Sequence, residues 1–268
     1  MKNDTIFIVI FTDLDGTLLD HTSYGWEEAN PALDLCQRLH IPVVMVSSKT
    51  RTEMEILRHR LNLSAPFISE NGGGVFFPKD DPIGLPSGAI PVENVWKLSL
   101  GMPYEVLVNS LQDIREELGW HIRGFSEMTT EEISHLTGLD HVNARLAATR
   151  EYDEPFIILE QEDADDTALI EAAKKRDLQI SKGGRFYHIH GKNDKGKAIE
   201  KVISWYGTIH SEIFSIGLGD SPNDFSMLKK VDSPVLMGSA HYSKELNEMI
   251  PGLRITKELG PKGWNSAL

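Results

Sequence analysis

The chain has 268 residues and a formal net charge of −13 at pH 7, from 27 basic and 40 acidic side chains. So large a negative excess argues against nucleic acid or an anionic membrane as the main partner, since both would repel it. The one cysteine, Cys36, excludes an internal disulfide and fits a reducing cytosol, where a buried inert thiol is expected.

The first element is the apolar run Ile6–Phe11, expected to form a strand buried on both faces. It is too short for a signal-peptide core or a membrane span, and Asp13 closes it, so a cytoplasmic protein is expected. A helix is expected over Glu27–Leu39, then a second buried strand over Ile41–Val46. Thr50 and Glu53 have capping-box spacing and open a helix with Met54, Leu57 and Leu61 on one face. A short strand, Ala65–Ser69, precedes a glycine turn, Asn71–Gly74. This alternation predicts parallel pairing with helical crossovers.

The Pro- and Gly-rich stretch Lys79–Pro91 reads as a linker and as one hinge. Helices are expected near Pro103–Leu118, Thr129–Leu136, Asp140–Thr149 and Asp165–Lys175, with strands at Pro155–Glu160, Gln179–Ser181 and Arg185–Ile189. Alternation resumes with a helix over Lys195–Tyr206, a strand at Ile213–Leu218, a helix capped by Ser221 with Pro222 in its first position, and a strand at Ser233–Gly238. The expected fold is one α/β core split in sequence by an α+β insertion: residues 1–84, then 85–190, then 191–268.

In open α/β sheets, ligands sit beyond the carboxyl ends of the strands. Asp13 and Asp15, Ser47, Lys195, and Asp220 with Asp224 all fall at that edge. Singly, each has a plainer reading. An Asp-Gly pair is a turn, a serine after a strand caps a helix, and a lone lysine is solvated. Together they pose a charge problem, because close carboxylates repel; a metal ion, a lysine and a phosphate would hold them.

The stretches DLDGT (Asp13–Thr17), Ser47, Lys195 and GDSPND (Gly219–Asp224) resemble, in order, the four signatures of the haloacid-dehalogenase superfamily of phosphotransferases. The resemblance implies a Rossmann-like core, its parallel sheet flanked by helices, with an inserted α/β cap. It also implies Mg²⁺ held by Asp13, the backbone carbonyl of Asp15, and Asp220, with Asp224 and Asn223 shaping the metal and phosphate surroundings. Asp13 would be the nucleophile, Asp15 the general acid and base, and Ser47 and Lys195 the phosphoryl clamp.

Further stretches are similar to the mannosyl-3-phosphoglycerate phosphatase family: SSKTRTEM (Ser47–Met54), SENGGGVFFP (Ser69–Pro78), YDEPFI (Tyr152–Ile157), GGRFYHIHGKNDKGKA (Gly183–Ala198) and GPKGWN (Gly260–Asn265). They imply a small phosphorylated glycosyl-glycerate substrate. Lys49, Arg51, Lys182 and Arg185 are then candidates for a basic lining, and Glu70, Asn71, Gly72 and Asp153 for contacts to the sugar. His188 and His190 share a strand face and lack a nearby third ligand for zinc. A glucosyl substrate, sucrose-phosphate phosphatase or phosphomannomutase activity on the same scaffold, and a non-catalytic metal-binding regulator remain alternatives.

Overall fold

The computed structural model describes residues 6–159, 166–183, 185–238 and 240–268. Glu160, Asp165 and Gly184, named above, lie outside the described residues. The first segment runs β1 (Phe7–Thr12), α1 (Asn30–Arg38), β2 (Val43–Val46), α2 (Arg51–Arg60), β3 (Phe67–Ser69), β4 (Gly74–Pro78), β5 (Ile90–Val92) and β6 (Val95–Ser99). Strand alternation sends Val9 and Phe11 to one helical layer and Ile10 to the other, so β1 is buried on both faces. Thr50 closes the expected capping box: its N–H donates to Glu53 Oε2 at 2.8 Å, and its hydroxyl accepts from the Glu53 N–H at 3.3 Å. Cys36 is buried on α1, and burial pushes its thiol pKa up.

The insertion follows as α3 (Tyr104–Leu118), β7 (His121–Gly124), α4 (Thr130–Thr137), α5 (His141–Ala147), β8 (Asp153–Leu159), α6 (Asp166–Lys175), β9 (Gln179–Gly183) and β10 (Phe186–His190). Its antiparallel sheet has the order β7-β8-β10-β9. Leu107, Leu111 and Ile114 follow helical spacing on α3 and pack with Leu169 and Ala173 of α6 against Phe156, Tyr187 and Ile189. Phe125, Ile133, Ala144 and Phe186 make a second small cluster.

The chain returns through α7 (Lys195–Tyr206), β11 (Ile213–Gly219), α8 (Phe225–Leu228), β12 (Ser233–Leu236), α9 (Lys244–Met249), β13 (Arg254–Ile255) and α10 (Gly260–Ala267). The large sheet has the order β13-β12-β11-β1-β2-β3-β4-β6-β5. From β13 to β3 the pairing is parallel; β4, β6 and β5 extend it antiparallel. From β1 the parallel order runs outward through β2 on one side and β11 on the other. That reversal opens a crevice at their carboxyl ends.

Two expectations need correction. β5 and β6 belong to the large sheet, so the expected boundary at 84/85 does not coincide with a change of sheet. The cause is burial. Val95 joins the core layer that holds Phe76, and Trp96 and Leu98 the layer that holds Phe77, as β4 does. The stretch Lys79–Pro91 therefore leads from one strand of the large sheet to another rather than into the insertion, which removes the basis for reading it as a hinge. The crossings to the insertion lie after Ser99 and at Gly191, and there a Cβ added to Gly191 would stand 3.0 Å from Met102 N.

Among the described residues no helix is long and apolar enough to cross a membrane. The GPKGWN stretch forms α10 and carries Trp264 into the core, fully buried. Its Nε1–H donates to Thr12 Oγ1 at 3.0 Å, and the Thr12 hydroxyl donates to the Asp13 carbonyl at 2.7 Å. The last helix thus props the strand end that presents Asp13. Trp264→Ala is expected to lower unfolding free energy by about 3–5 kcal/mol through the cavity it leaves, measured by urea denaturation; a loss under about 1 kcal/mol would contradict this packing role.

Candidate active site

Asp13 is the first residue past β1, and its N–H donates to Leu218 O at 2.9 Å, adding one rung to the β1–β11 ladder. The chain then turns rather than running on extended. Asp15 is therefore placed by a loop. Gly16 makes that turn at φ +79°, and a Cβ there would stand 2.6 Å from Asp220 Oδ2, so only glycine lets the loop lie against Asp220.

Lys195 starts α7, which Asp194 caps by accepting the Lys197 N–H at 2.9 Å. Its ammonium is buried and donates at 2.6 Å to both Asp13 Oδ1 and Asp224 Oδ1. Burial alone would strip this proton, but the two carboxylates outweigh it and raise the lysine above its ordinary pKa. Asp224 is fully buried, and its Oδ2 accepts the N–H groups of Asp220 and Ser221 at 3.0 and 3.1 Å. No hydrogen bond among the described residues reaches Asp13 Oδ2.

Asp13, Asp220 and Asp224 each offer a carboxylate oxygen within 4.8 Å of the others. Three acids thus face one ammonium. Burial and repulsion from Asp224 push Asp13 up to about 8, and the same two causes raise Asp220. This uncompensated negative charge, presented by hard oxygen donors, fits a divalent cation. Because both Asp224 oxygens are engaged, Asp13 and Asp220 are the freer donors.

Asp15 sits half-buried beside this cluster. Its Oδ2 pairs with Lys49 Nζ at 2.9 Å, and its Oδ1 is a buried oxygen with no hydrogen-bond partner among the described residues. Lys49 also lies over the Tyr24 ring, 5.2 Å from its centroid. Ser47 is buried just past β2. Asn71 reaches the site from the glycine turn, its Oδ1 accepting from Asn223 Nδ2 at 3.4 Å. Asn223 is exposed and also accepts from Ser221 Oγ at 2.5 Å.

The structure does not bring every candidate to this point. Lys182 is paired in register with Tyr187, so both project to the helix-covered face of the insertion sheet. Its ammonium is hydrogen-bonded to the Tyr187 hydroxyl at 2.7 Å. Arg185 is exposed and donates to Leu136 O at 2.9 Å. Arg51 is occupied by Glu55, Glu93 and Glu151. Gly72, at φ +95°, brings the turn against the Asp194 carbonyl, which a Cβ would approach to 2.3 Å; its close approach is to protein. Glu70 is buried, with its carboxylate accepting the Tyr152 N–H at 2.8 Å, and burial pushes it up to about 7 despite Arg150. Asp153 is likewise buried, held by Arg150 and His188. Neither acid is presented to a ligand. The basic lining is thus smaller than expected.

Sequence reasoning missed Arg150 and Trp264. A single arginine in a loop carries no periodic signal. Trp264 stood within a quoted stretch whose role only its burial reveals.

A family model described as haloacid dehalogenase-like hydrolase matches residues 10–247. A glucosyl-3-phosphoglycerate/mannosyl-3-phosphoglycerate phosphatase from Methanococcoides burtonii is 41% identical over 97% of this chain and 95% of its own. A mannosyl-3-phosphoglycerate phosphatase from Pyrococcus furiosus is 32% identical over 89% of this chain and 94% of its own. Among solved structures, a haloacid dehalogenase-like hydrolase from B. subtilis superposes with a TM-score of 0.62 at 19% identity, covering 97% of each chain. With a family model that reaches into both core segments and relatives alike along nearly their whole length, this chain belongs to the haloacid dehalogenase-like hydrolases, in the family of the glucosyl- and mannosyl-3-phosphoglycerate phosphatases.

Proposed function

We infer that this phosphatase hydrolyses a glycosyl-3-phosphoglycerate, mannosyl or glucosyl, through an aspartyl-phosphate on Asp13. The observation that carries the chemistry is the buried Lys195 ammonium, 2.6 Å from Asp13 Oδ1, beside an Asp13 Oδ2 that no described donor occupies. The substrate class rests on the names of relatives as much as 41% identical to this chain.

Asp13 Oδ2 attacks phosphorus, and the bond from phosphorus to the ester oxygen breaks. Asp15 passes a proton from its otherwise unpartnered Oδ1 to the departing oxygen. It then takes a proton from the water that attacks the aspartyl-phosphate, releasing inorganic phosphate and restoring Asp13. Lys195 and the Ser47 hydroxyl hold the phosphoryl oxygens where charge gathers. Asp13, the Asp15 carbonyl and Asp220 would hold Mg²⁺, with Asp224 and Asn223 bracing the turn around them; when bound, the ion offsets the charge on Asp13 and the phosphoryl group.

The leaving group has a place beside Asp15. A cavity of about 280 Å³ opens at the seam between core and insertion, lined by Tyr24, Lys49, Glu53, Arg60, Asn143 and Leu146 among others. Lys49 supplies a cation for the glycerate carboxylate, and Glu53 and Asn143 offer hydrogen bonds to sugar hydroxyls. In an enzyme with a formal charge of −13, this local positive charge is what admits an anion.

Release of phosphate from a panel of glycosyl-3-phosphoglycerates and hexose phosphates tests the substrate class. Turnover of hexose phosphates alone would sink it. Asp13→Asn is expected to cut turnover by roughly 10⁴-fold or more, as loss of a nucleophile does, while the circular dichroism spectrum stays unchanged. Trapping of a phosphorylated enzyme by acid quench should fail in that variant. Chelation with EDTA should stop turnover, and excess Mg²⁺ should restore it; full activity in the chelated protein would remove the metal from the mechanism.

A further inference from the structure

Three successive carbonyls follow β2, and each has its own donor. Ser47 O accepts from the Asn71 N–H and Lys49 O from the Glu70 N–H, both at 3.0 Å. These two donors point at one loop because Glu70 and Asn71 both adopt left-handed backbone, at φ 47° and 52°. The middle carbonyl, Ser48 O, accepts from the insertion: Arg150 Nη1 reaches it at 2.9 Å.

Arg150 is itself locked. Its Nε donates to Ala147 O at 2.8 Å, and Nη1 also lies 3.3 Å from Asp153 Oδ2, which in turn meets His188 Nδ1 at 2.8 Å. The exchange is returned from the core. The Glu70 carboxylate accepts the Glu151 N–H at 3.1 Å and the Tyr152 N–H at 2.8 Å, immediately after Arg150. A core side chain thus holds insertion backbone while an insertion side chain holds core backbone. The Arg150 side chain is 9% exposed, which leaves it little surface for contact with a substrate.

We propose that Arg150 is a positioning residue for the phosphoryl site. By fixing the Ser48 carbonyl it aims the Ser47 hydroxyl on one side and the Lys49 ammonium, partner of Asp15, on the other. The phosphoryl pocket is then complete only when the insertion is seated on the core. This rests on the reading of Ser47 as a phosphoryl ligand given above, and it adds a residue that touches neither phosphate nor sugar. A second-layer partner of this kind typically contributes about ten- to a hundredfold in affinity or activity.

The test uses Mg²⁺ with orthovanadate, a phosphate mimic that has no leaving group, titrated by calorimetry into the full chain and its variants Ser47→Ala, Arg150→Ala and Arg150→Lys. Arg150→Ala should weaken vanadate binding by about ten- to a hundredfold. It should lower kcat by a similar factor on p-nitrophenyl phosphate and on a glycosyl-3-phosphoglycerate, and millimolar guanidinium should restore part of both losses. Wild-type vanadate affinity in Arg150→Ala, with losses confined to the glycosyl substrate, would overturn the proposal and make Arg150 a substrate contact. A lowered thermal midpoint with unchanged vanadate affinity would also overturn it, leaving only a structural role. Should Arg150→Ala not fold, Arg150→Lys decides by the same criteria, since it keeps the buried charge but not the fork. Wild-type affinity in Ser47→Ala would remove the reading of the loop, and the proposal with it; a loss in Ser47→Ala beside an unaffected Arg150 variant would overturn the proposal alone.

Discussion

The contact on which the site depends is the buried Lys195 ammonium set between Asp13 and Asp224. An ammonium with no exposed side-chain surface is tolerable only with opposite charge at hydrogen-bond distance, and here it has two such contacts at 2.6 Å. Removing one partner of such a pair typically costs about 3–5 kcal/mol, because the survivor stays buried and unpaired. The constraint reaches outward. Asp224 can serve Lys195 with one oxygen because its other oxygen is held by the backbone after β11. Lys195 occupies only the first oxygen of Asp13 and leaves the second without a donor among the described residues.

The sheet supplies the rest of the geometry. Parallel strands on either side of β1 deliver Asp13, Ser47 and the Asp220 turn to one edge, and α7 brings Lys195 up beneath them. Each is held by ladder rungs and helix caps rather than by long flexible side chains, so little ordering entropy remains to be lost on binding a ligand. The excess of acid over base within the cluster is a deliberate imbalance. It makes sense if a cation and an anion enter together, each offsetting the charge that the protein leaves uncovered.

The insertion does more than cover the cleft. α5 packs against α2, with the Thr50 hydroxyl donating to Leu146 O at 3.0 Å, and the reciprocal exchange between Glu70 and Arg150 lies beside the loop after β2. Glu70 and Gly72 read from sequence as candidates for contacts to the sugar. In the fold the turn's close approaches are to protein: to Asp194 through Gly72, and to the Ser47–Lys49 carbonyls through Asn71 and Glu70.

The sequence by itself determined the alternating core, the split by an insertion, and the identity of the charged groups at the sheet edge. These follow from local facts: apolar periodicity, capping pairs such as Thr50 with Glu53, and carboxylates placed just past buried strands. Tertiary structure decided what each group faces. Lys182 and Arg185 look equivalent to Lys49 as isolated cations, yet strand register turns Lys182 to the far face, and a backbone carbonyl takes Arg185. β6 joined the large sheet because Val95, Trp96 and Leu98 pack into its two layers, and β5 follows as its antiparallel partner, not because of any signal in Lys79–Pro91. Arg150 and Trp264 act through partners 102 and 252 residues distant in the chain, and no local pattern encodes such pairs. Which side chains meet is set by packing across the whole molecule, and a reading limited to neighbours in sequence does not reach it.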